Sequence, residues 1–353
     1  MVPFENDHEL DPPTRDQLPW FKDPKLKISV WTIIKDSIGK DISRMSVPVY
    51  FNDPTNILQK CATSMEYCDL LDKAMEETES TRRLAYVAAY VITNLTCIER
   101  NVTKPFNPLL GETFELETPK FKFLAEQVSH HPPITAIECQ GLSGFKVWSC
   151  NRARTKFTGK CLDIIPCYKY YVELGPKHNN ERYEIELPTI SAHNLIIGNL
   201  YLDLSGKSTI KNMNNPSEYC ELQFYKRGWS QDSYFRVYGD IFDSSSVGKK
   251  ATPVFKIDGK WTESVSLINP KSGVIEVLWT KLPYHEKWEY MYGMSKFMIQ
   301  LNYLPRQLKS VIAPTDTRWR PDQRALENGE MTLAVDEKAR LEEKQRSVRK
   351  YLE

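Results

Sequence analysis

Two adjacent histidines meet two adjacent prolines in Glu126-Gln127-Val128-Ser129-His130-His131-Pro132-Pro133. A neutral imidazole donates at least one hydrogen bond and can become a cation beside an anion near physiological pH. Such a pair, held by a stiff Pro-Pro hinge, suits capture of a phosphate group. Proline bars helix here and biases His131 toward extended backbone, where neighbouring side chains point to opposite faces. His130 and His131 are therefore expected not to chelate one metal together, but to present two imidazole edges at the mouth of a sheet. From these eight residues alone a plainer alternative is favoured: a Pro-terminated strand whose two histidines are half-buried and satisfied.

Two more stretches could act on an anion. Lys338, Glu342 and Arg346 are spaced by four in a charged helical segment, which predicts a shared face. The plain alternative is a solvated face with a Glu-Arg pair worth a few tenths of a kcal/mol. Lys104-Pro105-Phe106-Asn107, followed by Leu109-Leu110-Gly111, places donors near the amides of a proline-fixed turn, which can form an anion nest. Gly111 permits close backbone approach, though an ordinary helix-to-strand loop would read the same way. Enzyme signatures are missing: His130-His131 with Glu126 is not HExxH, no third ligand stands at metal spacing, and there is no GxSxG elbow or GxxxxGK[ST] loop. No cofactor, metal or catalytic residue is expected.

The 353 residues carry 47 basic and 46 acidic side chains, so no global field draws the chain to nucleic acid, and any anion affinity must be local. The eight cysteines form no CxxC pair and read as buried free thiols of a reducing cytosol. No stretch is apolar enough to span a bilayer as a helix, so membrane contact is expected to be peripheral.

These residues need a scaffold. Residues 1–27 are polar and proline-rich, a flexible lead-in. Trp31, Ile34 and Ile38 make an amphipathic helix in the 28–48 segment. On pattern alone it is best read as docked on the core, with a movable lid as the alternative. Residues 49–100 read as a helical layer, with helices over Pro54 to Met75 and Thr81 to Ile98. From 101 to 280 the apolar period changes to two, as in Cys220, Leu222 and Phe224. Asp258-Gly259 and Gly175-Pro176 mark loops, and Gly198 a bend. Many successive strands without helices predict a large antiparallel sheet, which tends to close and can then enclose one apolar molecule. Residues 281–353 return to helix, with an aromatic segment at Trp288 to Leu304, a basic loop at Arg318 to Arg324 and a charged helix from Glu337. The fold class is α+β: a large antiparallel, nearly closed β-barrel with an N-terminal lid, a helical layer and C-terminal helices, residues 28–353 forming one domain.

Three blocks carry a resemblance. Glu126 to Pro133 matches, letter for letter, the EQVSHHPP signature of the oxysterol-binding-protein-related family of lipid-transfer proteins. Lys104 to Glu112 resembles its second block, and Ala313-Pro314-Thr315-Asp316 through Glu327, running on to Arg346, its third. The resemblance implies a tunnel that holds a sterol or the acyl chains of phosphatidylinositol 4-phosphate, and movement of these lipids between membranes. It implies that Lys104 and Asn107 touch the head group, that the Leu109 and Leu110 amides approach a phosphate, and that His130, His131, Lys338, Glu342 and Arg346 complete the site. It makes Trp31, Ile34, Ile42 and Met45 candidates for lining a lid over the sterol. A cytoplasmic protein peripheral at organelle membranes and membrane contact sites is expected. An endoplasmic-reticulum receptor would be engaged through segments this sequence does not contain, as for an excised domain. Phosphatidylserine could replace the sterol, and a lipid sensor or scaffold signalling through partner proteins is the alternative function.

Overall fold

The computed structural model describes residues 14–23, 47–159, 161–243 and 252–352, with side chains described through residue 348. The lid candidates Trp31, Ile34, Ile42 and Met45 lie outside the described residues. Of the expected flexible lead-in, residues 14–23 pack onto the C-terminal region instead. Arg15 pairs with the buried Glu327 carboxylate at 2.5 Å, Leu18 is buried, and the Lys22 amide donates to the Tyr290 carbonyl at 2.9 Å. Leu18, Trp20 and Phe21 packed on the core, with one buried ion pair, outweigh the polar, proline-rich composition that suggested disorder.

The helical layer begins later than its pattern suggested. β1 (Asn52–Asn56) precedes α1 (Ile57–Ala62), because Asn56 and Gln59 form a reciprocal capping box that fixes the helix start. A 3₁₀ turn separates α1 from α2 (Asp69–Glu76), and α3 (Ser80–Thr93) follows. Leu84 to Thr93 are buried without interruption, so α3 has no solvent face in its second half and acts as the hydrophobic axis of the molecule.

β2 (Lys104–Phe106) pairs in parallel with β1, Asn52 opposite Lys104. Then come β3 (Thr113–Glu117), β4 (Phe121–His130), β5 (Pro133–Gly141), β6 (Lys146–Asn151), β7 (Ala153–Phe157), β8 (Cys161–Pro166), β9 (Tyr170–Leu174), β10 (Glu181–Glu186), β11 (Thr189–His193) and β12 (Tyr201–Asn212). β13 (Glu218–Phe224), β14 (Arg236–Asp243), β15 (Phe255–Lys260), β16 (Ser264–Ile268) and β17 (Ile275–Thr280) complete a 15-stranded antiparallel sheet. Its path runs from β17 to β3, with β11, β8 and β7 as a wing beside β12. Among the described residues no pairing joins the end strands β3 and β17.

The alternation does its expected work: Phe121, Phe123, Ala125 and Gln127 of β4 are buried, while Lys122, Leu124, Glu126 and Val128 are exposed. α3 bonds to strands far apart in the sheet. Ser80 reaches Glu218, Arg83 pairs with Glu181 at 2.6 Å, Tyr90 Oη meets Tyr170 Oη at 2.7 Å, and Arg82 pairs with Glu276 at 2.9 Å. A flat sheet covers one side of a helix; the sheet therefore curls around α3. The chain bends at Gly198, with a positive φ of 96°, before β12 begins, and β12 itself bends again at Gly206. Before it β12 pairs with β11, and after it with β10, with a positive φ of 95° at the changeover.

Asp258-Gly259 is not a loop but part of β15. A Cβ on Gly259 would lie 2.2 Å from the Ser264 carbonyl oxygen of β16, a backbone atom that cannot swing away. Gly259→Ala is therefore expected to destabilise by about 1–3 kcal/mol, measurable as a lower urea midpoint; an unchanged midpoint would mean the two strands separate without cost. Trp288 to Leu304 is not one helix: short 3₁₀ turns at Trp288–Met291 and Met298–Gln300 flank Gly293, whose positive φ of 73° ends helical winding. The expected basic loop is a turn followed by α4 (Pro321–Glu327), and α5 (Met331–Leu352) starts six residues before Glu337. All eight cysteines are free thiols, but only four are buried; Cys150 and Cys167 are exposed.

Candidate functional site

The placement of Lys104 against α5 follows from two periodicities. Lys104 and Phe106 lie on one face of β2, two residues apart, and Ala334 and Lys338 lie on one face of α5, four apart. Phe106 is buried in a small core with Val49, Ala325, Leu326 and Ala334. Packing Phe106 into this core carries Lys104 toward Lys338, one turn on. The consequence is electrostatic. Burial, then the neighbouring Lys338 ammonium, push the Lys104 pKa down to about 8, against the opposing pull of Glu342. Lys104 is half-buried as a residue. Lys104 Nζ donates to Asn107 Oδ1 at 3.0 Å, and Lys338 Nζ to Glu342 Oε1 at 2.6 Å. Glu342 thus offsets part of the repulsion expected between gathered cations.

Arg346 does not share this arrangement. It is exposed and donates to Glu343 Oε2 at 3.0 Å. Steps of four drift by about 40° each on a helix of 3.6 residues per turn, so Arg346 stands roughly 80° from Lys338 while Gln345 stands only about 20° away. Gln345 is the residue that reaches in, its Oε1 lying 3.4 Å from the Leu110 amide. A helical wheel would have found it; counting by fours did not.

The Asn107–Gly111 turn is pinned from below. Arg320 donates to the Asn107 carbonyl at 2.7 Å and to Glu112 Oε2 at 3.1 Å, and its other face meets Asp322 at 2.7 Å. Glu112 in turn accepts from the Leu109 amide at 2.7 Å, so this half of the supposed nest already holds a carboxylate. Burial raises the Glu112 pKa, and Arg320 opposes the rise. Gly111 N donates to Gln127 O at 2.9 Å and Gln127 N to Glu112 O at 3.0 Å. This stitches the turn to β4 three residues before His130.

The two histidines converge rather than diverge. Their ring centroids are 4.6 Å apart, because His130 ends β4 and His131 belongs to the turn, where strand alternation no longer applies. His130 is half-buried and His131 exposed. His130 pairs with Pro133, Ser129 Oγ donates to Pro132 O at 2.7 Å, and the His131–Pro132 peptide is cis. The three sequence blocks thus meet at one turn: Lys104, Asn107, Leu109 and Leu110 from the first, His130 and His131 at the end of the strand stitched to it, and Lys338, Glu342 and Gln345 from α5.

The sheet face behind this rim is graded. Ala125, Gln127, Thr135 and Ser149 point inward at the His130 end, whereas Phe121, Phe123, Phe145 and Val147 fill the far end. Gln127, buried and in phase with Phe123 and Ala125, accepts from Thr135 Oγ1 at 2.8 Å. Its period-two phase marked it as inward, and it is a polar group inside an apolar face. Among the described residues, the one group that could hold a metal is Cys68, Asp69 and Asp72, away from this turn and already engaged by Lys120 and Ser143.

The sequence profile of the oxysterol-binding protein family matches residues 29–353. The chain belongs to the oxysterol-binding protein family. It is 38% identical over 330 residues to oxysterol-binding protein-related protein 6 of Homo sapiens, covering 92% of this chain and 34% of that protein. It is 34% identical to oxysterol-binding protein homolog 2 of Saccharomyces cerevisiae, covering 96% of this chain and 28% of the relative. The chain thus spans about a third of the length of these relatives. Among solved structures it resembles the Osh1 ORD domain in complex with cholesterol, with a TM-score of 0.88 and 34% identity over 97% of this chain and 84% of that one. It also resembles the Osh3 ORD of Saccharomyces cerevisiae in complex with PI(4)P, with a TM-score of 0.84 and 29% identity over 96% and 88%. Membership in the oxysterol-binding protein family gives the large antiparallel sheet with helices its place among lipid-binding folds.

Proposed function

We propose that this chain binds a sterol and phosphatidylinositol 4-phosphate, one at a time, in a hollow within the curled, nearly closed sheet, and exchanges them between membranes. The observation that carries the reading is the approach of Lys104 to Lys338 at a turn stitched to the strand that ends in the two clustered imidazoles. Burial first, and then the neighbouring Lys338 ammonium, hold the Lys104 pKa down to about 8, so its charge sits there at an energetic cost. An anion with nearly two negative charges removes that cost, as a phosphomonoester does. Glu342 accepts from inositol hydroxyls and keeps Lys338 in place; the Asn107 side-chain amide adds a donor, the Leu110 amide, held only by a long 3.4 Å contact to Gln345, can turn to the phosphate, and Arg346 screens the rim from outside. Ala125, Thr135 and Ser149 are small and face inward at the His130 end, where the apolar part of the lipid would lie. The related ORD domains in complex with cholesterol, ergosterol and PI(4)P support the same two ligand classes.

Burying a sterol removes several hundred Å² of apolar surface from water, on the order of 10 kcal/mol before costs. Spontaneous desorption is slow for that reason, and exchange needs the barrier lowered where the protein meets a membrane. No covalent bond changes, and the protein works peripherally at organelle membranes. Mass spectrometry of co-purifying lipids tests the reading. His130→Ala/His131→Ala is expected to lose phosphoinositide and keep sterol. Equal phosphoinositide in the variant and the parent would remove the histidines from the site.

A further inference from the structure

At the rim of the wing, two loops expose large apolar side chains that no part of the described chain covers. Trp229 is fully exposed, Ile197 is 83% exposed, and Ile196 and Tyr225 are about half-exposed. Neither loop is slack. Asn194 Nδ2 donates to Asn199 O at 3.0 Å and closes the first. In the second, Gly228 N donates to Ser233 Oγ at 2.9 Å, and Ser233 Oγ donates to Ser230 O at 2.6 Å. Both loops share one base. His193 stacks on Tyr201 at 4.8 Å, and the Arg227 guanidinium lies 4.0 Å from the Tyr201 ring and 4.4 Å from Phe235. The Arg227 amide donates to Asp203 Oδ2 at 3.1 Å.

Strand register shows where this base lies. Thr135 of β5 pairs with Asn151 of β6, Ser149 with Tyr170 of β9, Tyr170 with Ile185 of β10, and Glu186 with Thr209 of β12. Gly206 pairs with Phe224, the last residue of β13. Followed strand by strand, the His130–Pro133 turn, the start of β12 and the end of β13 fall at the same end of the sheet. The two apolar tips therefore project from the rim that carries the candidate anion site.

We infer that the loops 194–200 and 225–233 form a docking wedge that seats this rim on an anionic lipid bilayer. The inference rests on the lipid-carrying reading for its purpose, but its residues are distinct from the head-group residues. Three features select a bilayer over a protein partner. The apolar residues stand on protruding tips rather than on a flat continuous patch of the roughly 800 Å² per partner that a stable protein interface needs. Fluid lipid closes around a tip, and a tryptophan with an apolar body and a polar N–H fits the bilayer interface. Beside the tips, a cavity of about 430 Å³ is lined by Lys156, Lys226, Ser205, Gln223 and Tyr225, with Asp163 at its wall. Lys156 and Lys226 are exposed, while Asp163 is occupied by Ser191 Oγ at 2.6 Å and Asp203 by the Arg227 amide. The two loops contain a single acid, the exposed Asp232, so with Lys156 and Lys226 the rim presents more cations than anions around the tips to lipid phosphates.

The test is vesicle flotation with phosphatidylcholine alone and with added phosphatidylserine. Trp229→Ala/Ile197→Ser is expected to weaken binding to both by about tenfold. Lys156→Glu/Lys226→Glu is expected to abolish only the gain from phosphatidylserine. In parallel, uptake of a fluorescent sterol from cyclodextrin, which needs no bilayer, is expected to be unchanged in both variants and so reports that they are folded. Flotation of the tip variant equal to the parent, or a parent that does not float, would overturn the wedge and leave a protein as the occupant. A parent that floats yet takes up no sterol would overturn the lipid-carrying reading and leave the wedge standing.

Discussion

Lys104→Glu is expected to reduce affinity for phosphatidylinositol 4-phosphate by about a hundredfold or more while leaving sterol uptake near the parent level. The substitution removes a charge-assisted contact worth about 1.5–3 kcal/mol and sets a carboxylate against the phosphate. It also relieves the repulsion with Lys338, so the variant protein should be no less stable than the parent. The pH dependence follows from the same crowding. With its pKa near 8, Lys104 carries its charge below that pH and loses it above, so phosphoinositide affinity should fall as pH rises through about 8. Stability runs the other way: the unfolded chain holds the Lys104 proton up to its ordinary, higher pKa, so the folded state gains stability as pH rises from about 8 toward that value. Binding isotherms with a short-chain phosphoinositide at pH 7 and pH 9 measure the first effect. Affinity that does not change between them, in parent and variant alike, would take Lys104 out of the site.

Arg320→Ala should be the most destabilising single change near the site, costing about 3–5 kcal/mol. Its guanidinium is buried among Glu112, Asp322 and the Asn107 carbonyl. Truncation strands two buried carboxylates and an acceptor, and breaking a buried pair costs far more than the pair itself contributes. Lysine cannot replace the fork that spans Glu112 and Asp322, so Arg320→Lys should recover only part of the loss. Because the same guanidinium holds the Asn107–Gly111 turn, the loss of phosphoinositide binding should accompany the loss of stability. Urea unfolding measures the first and lipid binding the second. A variant with the parent's midpoint would show that the two acids are satisfied without the arginine.

These expectations differ in how far sequence could have led to them. The Glu126–Pro133, Lys104–Glu112 and Ala313–Arg346 blocks identified the family and the anion chemistry. Alternation such as Cys220, Leu222 and Phe224 identified the antiparallel strands. Elsewhere local signals misled. Four-residue spacing put Arg346 beside Lys338, although the helix turns it away and brings in Gln345. Strand alternation separated His130 from His131, although a turn begins between them. The apolar run at Trp288 to Leu304 looked helical but is interrupted at Gly293, and the polar start of the chain is partly tied down by Arg15, Leu18 and Glu327.

The division has a physical cause. Side-chain periodicity, capping and proline restriction act over a few residues, so the chain itself determined where strands run, that two imidazoles sit at a strand end, and which residue types could meet an anion. Convergence depends on contacts between residues hundreds of positions apart. Packing Phe106 against Ala334 set Lys104 beside Lys338, Arg320 anchored the turn between them, and burial of α3 drew the sheet into a curl. Register, summed over successive strands, put Trp229 and Ile197 on the same rim as His130. No short stretch contains that sum, so only the folded chain decided it.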